Sequence, residues 1–170
     1  MAYGTNAGLD AHWLARGYDG SLLDATDKDR LRTIASGFVD SLGWRLTNTG
    51  VRVSRFSGQP TTAGQEDSWP RKGATDIYGN VIADNVVPGA VERAVYEAAF
   101  HENENAGALN ESILPSEIIK VDKVGPLSTT FMDVPDTNTA TRPIIPAVET
   151  FLAPVLTGGS NPFGITGVVA

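Results

Sequence analysis

Six apolar residues, Leu31, Ile34, Ala35, Phe38, Val39 and Leu42, recur at i, i+3, i+4, i+7, i+8 and i+11. Only an α-helix, with its period of about 3.6 residues, returns all six to one face. A stripe of that width has to be covered, so the chain is expected to be mainly α, a small three- to four-helix bundle. Thr26 and Asp29 have the spacing of a capping box, and Asp27 and Asp29 suit the positive end of the helix dipole. Gly43 is placed to close the helix in a left-handed conformation. Gly37 lies inside it at a cost of about 1 kcal/mol relative to alanine, which predicts a neighbour packed closely there.

Three further helices supply the cover. Leu9, Trp13 and Leu14 mark a short one over Leu9 to Tyr18. Pro88 suits a first helical position, and Val91, Ala94, Val95, Ala98 and Ala99 share a face behind it, flanked by Tyr96 and Phe100. The polar run His101 to Gly107 ends that helix, since asparagine and glycine favour caps and turns. Pro146 opens the last helix, with Ile145, Val148, Leu152, Val155 and Leu156 as its stripe and Pro154 set to kink or end it. Between these, Ile118 to Val124 and Leu127 to Met132 read as strands of a minor β-hairpin joined through Gly125-Pro126. The expected layout is a helical domain over 1–156, containing a long irregular loop at 45–87 and the hairpin at 118–132, and an extended C-terminal arm over 157–170. The arm is rich in glycine yet carries Phe163, Ile165, Val168 and Val169.

The loop from Arg45 to Val87 demands an account, because connections beyond about 15 residues are uncommon in compact domains and are usually functional or disordered. Its charge is distinctive. Between Trp44 and Gly73 there are five basic residues, Arg45, Arg52, Arg55, Arg71 and Lys72, against Glu66 and Asp67. The rest of the chain has eight basic and eighteen acidic residues, which makes the net charge -7. That balance argues against broad contact with a nucleic-acid backbone. Hydrophobic residues at 41% and charged residues at 19% allow a real core.

Several chemistries find no motif. With no cysteine, disulfides, thiolate zinc sites and cysteine nucleophiles are excluded. His101-Glu102 begins a metalloprotease helix, but Asn105 stands where the second histidine belongs. Neither a phosphate-binding GxxxxGK[ST] run nor a GxSxG elbow occurs. Carboxylate pairs such as Glu102 and Glu104 read as a solvated acidic helix end, and His12 as a satisfied lone histidine. No enzyme activity and no cofactor is expected. No apolar run approaches the roughly 18 residues of a membrane helix, and the opening residues lack signal-peptide order, so no membrane partner and a cytosolic origin are expected.

One ordered combination remains: the stripe Leu31 to Leu42, an aromatic-basic loop, Gln65 followed by Trp69-Pro70-Arg71, a turn at Gly79-Asn80, Pro88 opening an alanine-rich helix, Lys123 to Leu127, and the helix from Pro146 to Leu156. It resembles a phage protein family often labelled DnaT-like single-stranded-DNA-binding, whose members look like head-to-tail adaptor, or head completion, proteins. The likeness covers roughly Leu9 to Leu156 and departs from the family pattern at Glu66-Asp67-Ser68, where an apolar residue is usual. The resemblance implies a structural virion protein in the neck at the head-tail interface, assembled in the host cytoplasm. It would form a homo-oligomeric ring, commonly dodecameric, under the portal protein, dock a stopper or tail protein, and let DNA pass through the lumen without specific binding.

On that reading Phe163, Ile165, Val168 and Val169 form a portal-binding arm, and Trp69, Pro70 and Arg71 make a subunit or tail-protein contact. Arg45, Arg52, Arg55 and Lys72 are the candidate DNA-facing residues. The alternative is a single-stranded-DNA-binding replication protein, for which Trp44, Phe56 and Trp69 would stack bases among those cations. A helical interaction module of a host cell is a third reading, different only in its partner.

Overall fold

The computed structural model describes residues 2–47, 49–110, 121–124, 127–130 and 143–157. Along the chain these form α1 (Asn6–Ala15), α2 (Ala25–Leu42), β1 (Trp44–Leu46), β2 (Arg52–Ser54), β3 (Gln59–Pro60), β4 (Arg71–Lys72), α3 (Gly89–Glu104), β5 (Val121–Val124), β6 (Leu127–Thr130) and α4 (Pro146–Leu152). The protein is mainly α. The arm residues Phe163, Ile165, Val168 and Val169 lie outside the described residues.

The expected stripe on α2 faces the core: Leu31, Ala35, Phe38, Val39 and Leu42 are buried, and Ile34 packs partly buried against them. Its covering partner is α3, which also meets α1 and α4. That central position explains the composition of α3. Ala90, Val91, Ala94, Val95, Ala98 and Ala99 are all buried, and short side chains let neighbouring helices approach from several directions. On the far side, Val148 and Leu152 of α4 are buried, and Pro154 sits in a 3₁₀ turn over Ala153–Val155 that ends the helix. Trp13 fixes α1 on α3, its ring buried and its Nε1–H donating to the Tyr96 carbonyl at 2.8 Å.

Local details depart from the sequence expectations. Helix α1 starts earlier than Leu9, because the Thr5 hydroxyl accepts from the Gly8 N–H and caps it. Helix α2 is capped by Asp24, whose carboxylate accepts from the Asp27 N–H at 2.8 Å, and not by the pair Thr26 and Asp29. Asp29 is diverted to Arg32 at 2.6 Å and to Asn6 at 3.0 Å, which ties α2 to α1. Pro88 is the residue before α3 and not its first helical position. Within the expected hairpin β5 and β6 are antiparallel, pairing Val121 with Thr130 through Val124 with Leu127, and the rest of 118–132 lies outside the described residues.

The loop at 45–87 is less irregular than its sequence suggests. It holds two antiparallel ladders, β1 with β2 and β3 with β4. Strands of three and two residues are too short for alternation to be readable.

The two glycines of α2 exchange roles. Gly37 is exposed, and a Cβ built there meets nothing within 4 Å, so no neighbour packs closely on it. Gly43 is right-handed, with φ -70°, and a Cβ there would run into the Phe56 ring. Its small size, not its handedness, is what the fold requires. Gly37→Ala is therefore expected to stabilise the protein by about 0.5–1 kcal/mol. Gly43→Ala should destabilise it by about 1–3 kcal/mol through overpacking, both read from urea unfolding.

Candidate interaction site on the aromatic-basic loop

The segment from Trp44 to Lys72 is held by its own side chains, beginning at the N-terminus. The Tyr3 N–H donates to Ser36 Oγ, and the Tyr3 hydroxyl donates to Asp40 Oδ1 at 2.7 Å. The same hydroxyl oxygen accepts from the Trp69 N–H at 3.0 Å, while Asp40 Oδ2 accepts from the Ser68 N–H at 3.2 Å. This relay fastens the loop to α2. Trp69, 1% exposed, then packs edge-on against Phe56 with ring centroids 5.5 Å apart. The Trp69-Pro70 peptide is cis.

Arg71 completes the clamp from inside, being only 2% exposed. Its Nε donates to the Ser57 carbonyl at 2.7 Å, Nη1 to the Ser68 carbonyl at 3.1 Å, and Nη2 to the Gly58 carbonyl at 2.7 Å. Burial pushes its pKa down from the ordinary value, against the raising effect of Tyr3 and Asp40. Gln65 holds the outer turn, donating to the Asp67 and Pro70 carbonyls and accepting from Thr61. The motif Gln65 with Trp69-Pro70-Arg71 is thus a loop clamp. Trp69 and Arg71, expected at a partner contact, have their side chains inside this subunit, and of the three only Pro70 is partly exposed.

The candidate DNA-facing residues separate in the same way. Arg45, Arg52 and Lys72 are exposed, and the Arg52 guanidinium lies 5.5 Å from the centre of the half-exposed Trp44 ring. Arg55 is half-buried and donates to the Leu42 carbonyl at 3.1 Å. Of the three aromatics expected to stack bases, Phe56 and Trp69 are buried and only Trp44 reaches the surface. A cleft of about 230 Å³ opens beside Trp44 and Arg52, but Asp40, Glu66 and Asp67 also line it. A nucleic-acid phosphate entering there would meet three carboxylates.

A second charged cluster escaped the sequence reading. Glu97 on α3 is 1% exposed, and Arg16 grips it through Nε at 2.9 Å and Nη2 at 3.1 Å. His12 Nε2 at 3.2 Å and the Tyr18 hydroxyl at 3.2 Å complete the shell. No periodicity announces this, because Glu97 lies some eighty residues from His12, Arg16 and Tyr18. Glu102 is also buried and caps the chain reversal, accepting from the N–H groups of Gly107 and Leu109. Among the described residues no group of His, Cys, Asp or Glu could hold a metal ion, and no helix is long and apolar enough to cross a membrane.

Two consequences are measurable. Arg16 can turn to water if Glu97 is removed, whereas Glu97 cannot reach water if Arg16 is removed. Arg16→Ala should therefore cost more stability than Glu97→Gln, read from the urea unfolding midpoints. Burial raises the Asp40 pKa above its ordinary 3.8, while the hydrogen bonds from Tyr3 and Ser68 hold it down. A raised carboxyl pKa means that protonation favours the folded state, so this group's contribution to stability falls as pH rises through the window above 3.8. Tyr3→Phe should move the Asp40 titration higher still, followed by its carboxyl carbon-13 shift.

Comparison with known proteins places these features in a family. A family model described as "Putative DnaT-like ssDNA binding protein" matches residues 2–168. That description agrees with the single-stranded-DNA alternative and not with the adaptor reading. No curated protein and no solved structure matches the chain. Because the match spans nearly all of the sequence, from the clamped N-terminus through every described helix, the chain belongs to the DnaT-like single-stranded-DNA-binding family.

Proposed function

We propose that this protein is a structural subunit of a phage neck, a head-to-tail adaptor that forms a ring under the portal and docks the next neck or tail protein, and that it is not an enzyme. The observation that carries this reading is the division between buried and exposed side chains in 44–87. The residues suited to gripping a nucleic acid, Phe56, Trp69 and Arg71, are engaged inside the subunit, and Arg55 is half-buried on a helix-end carbonyl. Beside the exposed Arg45, Arg52 and Lys72, the segment leaves apolar side chains outside: Ile77, Tyr78 and Val81 are exposed within five positions of one another. Exposed aromatic and aliphatic side chains on an ordered segment suit contact with protein. The net charge of -7 fits a wall past which DNA must slide.

The second reading is the one in the family description, single-stranded-DNA binding. It is favoured by Trp44, whose ring carries Arg52 over it and has Arg45 beside it in sequence, a pairing of aromatic face and cation that stacks bases in single-strand grooves. One half-exposed aromatic makes a short platform.

Quantitative mass spectrometry of purified virions separates the two. The adaptor reading expects this chain at about one mole per mole of portal protein. Absence from virions, together with binding to a single-stranded oligonucleotide that weakens steeply with added salt, would transfer the function to the surface around Trp44.

A further inference from the structure

Between Ala74 and Ile82 the chain leaves the core and returns to it. Ala74 is fully buried, Ile82 packs against the core, and the Ile82 N–H donates to the Ala74 carbonyl at 2.9 Å, so the two ends of the excursion are pinned together. Thr75 and Val81 form an antiparallel bridge, and inside it Asp76 closes a tight turn. Its carboxylate accepts from the N–H groups of Tyr78 and Asn80 and from Asn80 Nδ2, all within 2.9 Å. Gly79, at φ 84°, supplies the left-handed residue that this turn needs. Ile77, Tyr78 and Val81 project from it at 51%, 81% and 79% exposure. Apolar side chains on a backbone already held in place lose little conformational freedom on docking.

The last described residues of the chain lie beside the same turn. The Ile77 N–H donates to the Pro154 carbonyl at 2.9 Å. Three residues later the Thr157 N–H donates to the Arg55 carbonyl at 2.6 Å, and the Thr157 hydroxyl donates to the same oxygen at 3.0 Å. Three residues span about 10 Å at most, so Thr157 is fixed close to Ile77. Residues 158–170 follow it, and Phe163, their first large apolar residue, is six positions on. Six residues reach about 20 Å, enough to come back over Tyr78 and Val81.

The composition of 158–170 suits what the turn exposes. The segment has no charged side chain, and Phe163, Ile165, Val168 and Val169 are its large apolar residues. Phe163 and Ile165 are two apart, a spacing that puts both on one face of an extended backbone. Tethered by so short a linker, they meet the turn at an effective concentration on the order of millimolar. A second copy of the chain has no such advantage, and it brings a net charge of -7 towards a turn flanked by the exposed Asp84.

We propose that the C-terminal segment 158–170 docks on the turn of its own chain, with Phe163 and Ile165 seated against Tyr78 and Val81. A protein partner that takes the turn must displace the segment, so the two contacts exclude each other. No neighbouring copy is required, and the proposal stands apart from the adaptor reading.

The test is hydrogen exchange of the full chain followed by mass spectrometry, with two double variants, Tyr78→Ala with Val81→Ser and Phe163→Ser with Ile165→Ser, each first checked for native circular dichroism. Amides in 163–169 should exchange about tenfold or more slowly in the wild type than in the turn variant, and equally so at every protein concentration. The converse readout is nitration of Tyr78 by tetranitromethane, which should run about tenfold faster in the segment variant than in the wild type, with the buried Tyr3 and Tyr96 as internal controls. Wild-type exchange at the unprotected rate, protection that survives the turn variant, or Tyr78 nitration that ignores the segment variant would overturn the proposal. Protection that fades on dilution would overturn it too, because the cover would then come from another copy. The amount of this chain in virions bears on the adaptor reading alone.

Discussion

A guanidinium taken out of water has to be surrounded by oxygen acceptors, and meeting that requirement for Arg71 organises the whole middle of this protein. Its hydrogen bonds run to the carbonyls of Ser57, Gly58 and Ser68, so the far strand of the loop and the turn just before Arg71 converge on one cation. The Trp69 ring and the Phe56 ring fill the space beside it. The Tyr3–Asp40 relay then fixes the assembly to α2 and to the N-terminus. The stretch 44–72 is thereby held by one buried cation, two aromatic rings and the Asp40 carboxylate, beside two short ladders of backbone pairing.

That solution limits what the segment can do for a partner. Side chains that hold the loop are unavailable at the surface, so composition alone overstates its capacity for nucleic acid. The aromatic-basic stretch contributes one half-exposed tryptophan and three exposed cations, and the adjoining cleft adds three carboxylates. An apolar surface lies on the turn after the clamp, where the Asp76 carboxylate holds the backbone around Tyr78 and Asn80 between the core contacts of Ala74 and Ile82. Residues 44–73 thus combine a buried clamp with exposed cations, and 74–87 carry the exposed apolar side chains.

Helices were the legible part of the chain. The stripe on α2 and the alanine-rich face on α3 repeat often enough for period 3.6 to stand out, and both faces are buried as their spacing requires. Caps were less legible because several acceptors compete at each helix start. Asp24 took the role that Thr26 and Asp29 appeared to hold, since Asp29 had a better partner in Arg32. Trp69-Pro70-Arg71 was visible as a motif, but its direction was not: the same three residues read equally well as an anchor for a partner or for their own loop. Glu97 with His12, Arg16 and Tyr18 was invisible, because a buried charge shares no pattern with ligands that lie some eighty residues away.

The amino-acid sequence by itself determined the helical class, the apolar faces of α2, α3 and α4, the absence of any cysteine chemistry, and the contrast between one basic stretch and an acidic remainder. These are properties of local spacing and of counting, and neither depends on which distant segments meet. Tertiary structure alone decided which polar and aromatic residues are buried, that Gly43 is needed for the Phe56 ring, and that Arg71 turns inward while Tyr78 stays outside. Burial of a polar group is favourable only when partners from elsewhere in the chain arrive to satisfy it, and that condition exists only once the fold has formed.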